Sequence, residues 1–215
     1  MSNISIALPN GSELLQNAKM DITKGNRYGL VGRNGVGKST LLQRLALKAI
    51  PGMPRDMRVL YVQQQIDGSD ATAMEVLIQA DGDRAQLLHE QQELECALEK
   101  PGIEEAEMIG NVERLGEIEA ELDAIGADSV EERATNILLG LQFSRTMIHE
   151  PTRNLSGGWR MRLALASALF VRSDLVLLDE CQNHLDLQGQ DWLSNYLVNT
   201  KDRTFIIVSH DRSFL

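Results

Sequence analysis

GRNGVGKS, residues 32–39, sets Gly32, Gly37, Lys38 and Ser39 at the spacing G-x-x-x-x-G-K-[ST], the signature of a phosphate-binding loop. The spacing has mechanical meaning only between a strand and a helix. YGLV (28–31) is a short apolar, β-prone run before it, and TLL (40–42) opens a helical pattern after it. Gly32, Gly35 and Gly37 allow the backbone to turn its N–H groups toward phosphate oxygens, and the helix presents its positive end to them. Lys38 is placed to reach the β and γ phosphates. Ser39 offers a hydroxyl to Mg2+, an ion that keeps mostly water and phosphate oxygen as ligands. Asn34 and Thr40 complete the expected phosphate-binding set. A glycine-rich turn that binds nothing is the bland alternative, and a complete motif with both flanks in place argues against it.

A second group stands far along the chain, where LVLLDE (175–180) reads as a buried strand delivering Asp179 and Glu180 at its end. Adjacent carboxylates at the end of an apolar strand are costly unless they are used. Asp179 is expected to hold Mg2+ through water and Glu180 to polarise the water that attacks a γ-phosphate. Alone, the pair could equally be a solvated acidic turn; the phosphate loop shifts the balance. Between the two groups lies LSGG (155–158) before a helical run over 160–171. Ser156, Gly157 and Gly158 therefore sit at a helix start, another position suited to an anion.

With LSGG just ahead of the Asp-Glu strand, the chain resembles the ATP-binding cassette (ABC) ATPases. The resemblance implies a phosphate-loop cassette of α/β class: a parallel core sheet, an antiparallel β subdomain, and ATP with Mg2+ as cofactors. It also implies that LSGG of one cassette covers the γ-phosphate held by a second, so that two ATP molecules are sandwiched between two cassettes. Gln64, following the strand-like LYV (60–62), resembles the glutamine that senses Mg2+ and water, with Gln63 and Gln65 as close neighbours. Asp186 resembles the aspartate that communicates across the dimer, and His210 the γ-phosphate switch histidine. Three longer matches, NHLD (183–186), LSGGWRMRLAL (155–165) and RYGLVGRNGVGKSTLL (27–42), resemble the ABC-F branch, particularly its eukaryotic members. That implies a cytoplasmic protein acting on the ribosome or a ribosome-linked regulatory protein, with a second cassette in the same chain or in a homodimer. The end of the sequence just beyond His210 suggests the first cassette of a two-cassette protein. A transporter subunit and a non-hydrolysing regulatory module are the alternatives.

Several positions depart from the family pattern. Cys181-Gln182 follows Glu180 where most ABC proteins have Pro-Thr, Trp159 replaces the usual Gln after LSGG, and no aromatic occupies positions 12–15, where a ring often stacks on adenine. The last point leaves ATP and GTP undistinguished.

The segment 84–133 is unlike its surroundings. It carries 15 acids and 4 bases, a net of −11 within a chain of net −10, so everything else sums to +1. Leu87, Leu94 and Leu98, then Met108, Val112, Leu115, Ile118, Leu122 and Ile125 recur at steps of three, four and seven, the mark of helices with a narrow apolar seam. Pro101-Gly102 interrupts them. An antiparallel helical hairpin is expected at 84–133, inserted between cassette parts at 1–83 and 134–215, where ABC-F first cassettes carry an arm. So acidic an arm should meet a protein surface or basic tail, since nucleic-acid affinity comes mainly from Lys and Arg; direct sequence-specific nucleic-acid binding is not expected.

Elsewhere, strands are predicted at 4–8, 20–22, 28–31, 58–62, 175–178 and 204–208, and helices from Lys38 and over 131–141, 159–171 and 188–197. No apolar run is long enough for a membrane span, so no membrane partner is expected. Cys96 and Cys181 have neither metal spacing nor a disulfide framework, which fits a reducing compartment.

Overall fold

A computed structural model describes residues 4–7, 13–63, 65–99, 104–124 and 129–210. Its elements run β1 (Ile4–Ala7), β2 (Glu13–Ala18), β3 (Arg27–Leu30), α1 (Lys38–Ala46), β4 (Val59–Val62), α2 (Ala73–Ala80), α3 (Gly82–Leu98), α4 (Glu105–Ala124), α5 (Val130–Gly140), α6 (Arg145–Ile148), α7 (Gly157–Phe170), β5 (Leu175–Asp179), α8 (Leu187–Asn199) and β6 (Thr204–Val208).

β5 and β6 read as uninterrupted apolar runs because both of their faces are covered. The four-stranded sheet has the order β3-β6-β5-β4 and all its pairs are parallel, the arrangement that hides a sheet between two layers. Side chains alternate across it. Leu175, Leu177, Ile206 and Val208 face α1 and the two-stranded antiparallel β1–β2 sheet, packing with Leu42, Leu45, Ile4 and Ile6. Val176, Leu178, Phe205 and Ile207 face the other way, onto α2, α5, α7 and α8. The α/β phosphate-loop cassette expected from the sequence is the fold observed.

One expected strand is displaced. Positions 20–22 carry no strand; β2 lies at Glu13–Ala18, where Ile4 pairs with Ala18 and Ile6 with Leu15. A strand needs a partner ladder, and β1 supplies it to the segment whose Leu14, Leu15 and Ala18 lean on the α1-side core. The sequence reading also passed over α2, which begins at a capping box: Thr72 Oγ1 accepts from Glu75 N at 3.2 Å, and Glu75 Oε2 accepts from Thr72 N at 2.8 Å.

The helices α3 and α4 pack on each other. Their tie is Arg114, whose Nε and Nη2 donate to the two carboxylate oxygens of Glu90 at 2.7 and 3.0 Å, while Nη1 donates to Glu117 and Glu121. Ile118 and Leu122 of the predicted seam are buried, but Met108 and Val112 are 43% and 56% exposed. The seam therefore closes only in the half of α4 nearer α5. Ile125 and Pro101-Gly102 lie outside the described residues. The acidic residues Glu131 and Glu132 belong to α5, whose Val130, Ala134 and Ile137 enter the cassette core.

Candidate nucleotide site

The phosphate loop joins β3 to α1 at the carboxyl end of the sheet. Gly35 (φ 79°) and Gly37 (φ 96°) take left-handed conformations that favour glycine. At Gly37 there is a second reason, since a Cβ would collide with the Leu14 side chain. The helix opens with Leu41 N donating to Gly37 O at 3.0 Å, and Gly37 offers no side-chain cap. The first-turn N–H groups of α1 are thus left for a ligand. Lys38 is buried against its own loop, its ammonium donating to Gly32 O at 2.9 Å and Arg33 O at 3.2 Å. Ser39 and Thr40 follow on the first turn of α1, half-buried, and Asn34 is exposed on the turn.

Asp179 and Glu180 end β5 and are treated differently. Asp179 lies on the same face of the sheet as Leu175 and Leu177, the α1 side. Its Oδ2 accepts from Tyr61 Oη at 3.1 Å. Burial, reinforced by the Asp179 charge, pushes the Tyr61 phenol above the ordinary tyrosine range, which keeps it a donor. Tyr61 was read from the sequence only as an apolar strand residue; its pairing with Leu177 across the β4–β5 ladder brings it alongside. Among the described residues no group of three or more His, Cys, Asp or Glu could cage a metal. A serine hydroxyl with one carboxylate instead suits Mg2+, which takes one or two protein carboxylates and fills its octahedron with water and phosphate.

Glu180 turns off the sheet. Its N–H donates to Val208 O at 3.0 Å, and the residue itself takes φ 53°, a left-handed conformation uncommon outside glycine. That turn swings the carboxylate toward the segment after β6: Glu180 Oε1 lies 2.7 Å from His210 Nε2, and Oε2 accepts from Asn183 Nδ2 at 3.1 Å. One carboxylate is thereby oriented from both sides. The turn 181–184 is fixed beneath it. Cys181 is buried, with its thiol toward Val62 O, and burial pushes that thiol up to about 12. Gln182 is buried too, donating to Ser209 Oγ at 2.9 Å, so the Cys-Gln pair is packed and hydrogen-bonded into the β5–β6 end.

Ser156 caps α7 in extended conformation with no side-chain cap bond, exposed, followed by Gly157 and the open Gly158. Trp159 sets its ring edge-on to Phe143 at 5.0 Å, and Arg162 stacks on Trp159 at 4.3 Å. Arg162, unremarked in the sequence, also donates to His184 O at 2.6 Å and lies 3.6 Å from Asp186. It ties the LSGG helix to the segment after Glu180. Asp186 spends its other oxygen capping α8, accepting from Gly189 N at 2.8 Å. Gln64 lies outside the described residues. Of its neighbours, Gln63 accepts from Gln43 of α1 at 3.4 Å, and Gln65 lies close against Gly157.

The structure brings Glu180 and His210 together and leaves LSGG apart from the phosphate loop. α1 packs on one face of the sheet and α7 on the other. Among the described residues no hydrogen bond or ion pair joins 32–39 to 155–158.

The family model described as "ABC transporter" matches residues 15–183. The human protein "ATP-binding cassette sub-family F member 3" is 46% identical over 202 residues, covering 94% of this chain and 28% of that protein. "ABC transporter F family member 3" of Arabidopsis thaliana is 42% identical over 225 residues, covering 100% of this chain and 31% of its own length. The chain thus spans about three-tenths of these relatives. Among solved structures, the complex of archaeal ribosomal stalk protein aP1 with the archaeal ribosome recycling factor aABCE1 shares the fold, with a TM-score of 0.58 at 24% identity over 90% of this chain and 30% of that one.

Proposed function

The chain belongs to the ATP-binding cassette ATPases, in their F branch, and from that premise we propose that it is an ATP-binding and hydrolysing cassette, the first of two, in a ribosome-associated translation or translation-control factor. The observation that carries the hydrolytic part is the Glu180–His210 pair at 2.7 Å, at the end of the strand that also presents Asp179. In this reading Lys38 exchanges the Gly32 and Arg33 carbonyls for phosphate oxygens. Glu180, held by His210 and Asn183, accepts hydrogen bonding from the attacking water and draws its proton. Ser39, Asp179 through water, and Gln64 would hold Mg2+, which supplies charge neutralisation on the phosphates. No helix among the described residues is long and apolar enough to cross a membrane.

The separation of Ser156, Gly157 and Gly158 from the phosphate loop supports a second cassette as partner: α7, which they open, packs on the face of the sheet opposite α1. The ribosomal part of the reading leans on the F-branch relatives and on the archaeal recycling factor, a protein with ribosomal partners in its own description. Cytoplasmic residence follows from that role.

The test uses the full-length protein with Glu180→Gln. Hydrolysis is expected to fall about 10^2- to 10^4-fold, the usual contribution of a general base, while ATP binding persists. Sedimentation with ribosomes should then require ATP and be strongest in the variant. Free migration at low salt with ATP present would overturn the ribosomal reading. A hydrolysis rate per molecule that stays constant on dilution of a single cassette would overturn the need for a partner.

A further inference from the structure

Tyr61 carries a hydroxyl where packing alone asks for none. Its ring leans on the α1-side core, a setting that a phenylalanine would fill equally well. A half-buried phenol needs a partner for its O–H, and among the described residues that partner is Asp179 alone, Tyr61 Oη donating to Asp179 Oδ2 at 3.1 Å. The contact follows from the parallel register. Tyr61 stands opposite Leu177, and Asp179 is two residues further along the same face, a diagonal that an aromatic side chain spans.

The strand ends are held so that this diagonal does not drift. Val62 pairs with Leu178, and past that pair the Cys181 thiol lies 3.6 Å from Val62 O and 3.7 Å from Asp179 O, touching both strands at once. From the other side, Gln43 Nε2 donates to Gln63 Oε1 at 3.4 Å, which ties the helix that carries Ser39 to the segment just after Tyr61. β4, β5 and α1 thus meet at one corner, and the Asp179 carboxylate sits in it.

The consequence concerns the second oxygen of that carboxylate. An aspartate turns about its last torsion with broad, roughly two-fold freedom, so an untethered one offers its oxygens at no fixed place. With Oδ2 taken by the phenol, Oδ1 is left as the acceptor, and among the described residues it has no hydrogen bond or ion pair. A neutral donor also leaves the negative charge standing, whereas a Lys or Arg in its place would cancel it. We propose that Tyr61 is a positioning residue for Asp179: by holding Oδ2 it fixes Oδ1 as the oxygen presented toward Mg2+ and its water, and so sets how much more tightly a nucleotide is held with Mg2+ than without it. The inference rests on the ATPase reading given above.

The test is calorimetry of ADP binding by the intact protein, once with Mg2+ and once with EDTA, for the native protein, Tyr61→Phe, Asp179→Asn and the two changes combined. The readout is the ratio of the two affinities, and no hydrolysis is involved. Tyr61→Phe keeps the ring and removes only the hydroxyl, so binding in EDTA should be unchanged while binding in Mg2+ weakens about tenfold, the scale of losing a group that orients a metal ligand. The combined variant should show the ratio of Asp179→Asn alone, because the two side chains act as one unit. Any further nucleotide site is common to all four proteins and cancels in the comparison. An equal loss with and without Mg2+, or a ratio that does not move, would make the phenol a packing group and overturn the inference while leaving the ATPase reading intact. A further tenfold loss on top of Asp179→Asn would overturn it as well, since the hydroxyl would then act elsewhere. Native binding indifferent to Mg2+ would overturn the inference alone; failure of the native protein to bind ADP would overturn the ATPase reading and this inference with it.

Discussion

The central strands and the α3–α4 pair are stabilised by different means. β5 and β6 are covered on both faces, with Val176, Phe205 and Val208 wholly buried. The helical pair buries Ile118 and Leu122, leaves Met108, Ile109 and Val112 exposed, and relies on one arginine shared among three glutamates. A sheet between two layers is secured by area removed from water, whereas the pair is secured by a few contacts and by charges that water and salt screen. The teaching is that order in the core is cooperative, and order in the acidic pair is local and adjustable.

The two free cysteines give the sharpest contrast, since Cys96 is exposed on α3 and Cys181 is buried after β5. Raising the Cys181 thiol from its ordinary 9.0 to about 12 cuts its thiolate fraction by about 10^3. Labelling with a disulfide reagent at pH 8 should show one fast thiol and a second that reacts only on unfolding; two fast thiols would erase the distinction. Next in size, Phe205→Ala should cost about 3–5 kcal/mol and lower the denaturant midpoint of the whole cassette. Ile118→Ala should cost about 2–4 kcal/mol, but as local opening: limited proteolysis should cut within α3 or α4 while the core retains its midpoint. A fall of the core midpoint equal to that of Phe205→Ala would show that the two regions unfold as one.

Arg114→Ala should have the smallest effect, because its pairs with Glu90, Glu117 and Glu121 are exposed to water and screened, and it should shrink further in high salt. Its pH dependence has a definite sign. The Arg114 guanidinium holds the Glu90 carboxyl below its ordinary 4.5, so the contribution is present above that value and disappears as pH falls through the depressed one. Thermal melts of native and variant proteins should therefore converge in acid. A gap that widens below pH 4 would remove Glu90 as the partner that matters.

Much of the site was legible from local chemistry. Gly35 and Gly37 announced a tight backbone turn, and the run before Asp179 announced a strand buried on both faces. The strand at 13–18 was not legible, because its pattern is weak and only β1 makes it a strand. Tyr61 and Arg162 escaped notice for a related cause: an aromatic in a strand and an arginine in a helix are ordinary until a neighbour is known. The expected seam at Met108 and Val112 shows the reverse error, since helical spacing marks a face without saying that anything covers it.

By itself, then, the sequence determined the phosphate-loop motif, most of the strands and helices and the concentration of acid in one segment, and it marked Asp179, Glu180 and Ser156 as candidates, with His210 added by the family resemblance. The elements rest on backbone preferences and apolar periodicity, which act between near neighbours in the chain, whereas the candidate residues rest on motif spacing and resemblance. Only the tertiary structure decided that His210 meets Glu180, that Tyr61 holds Asp179, and that LSGG lies across the sheet from Lys38. Each of these depends on the strand order β3-β6-β5-β4, which sets residues far apart in sequence side by side and which packing of both faces of the sheet selects.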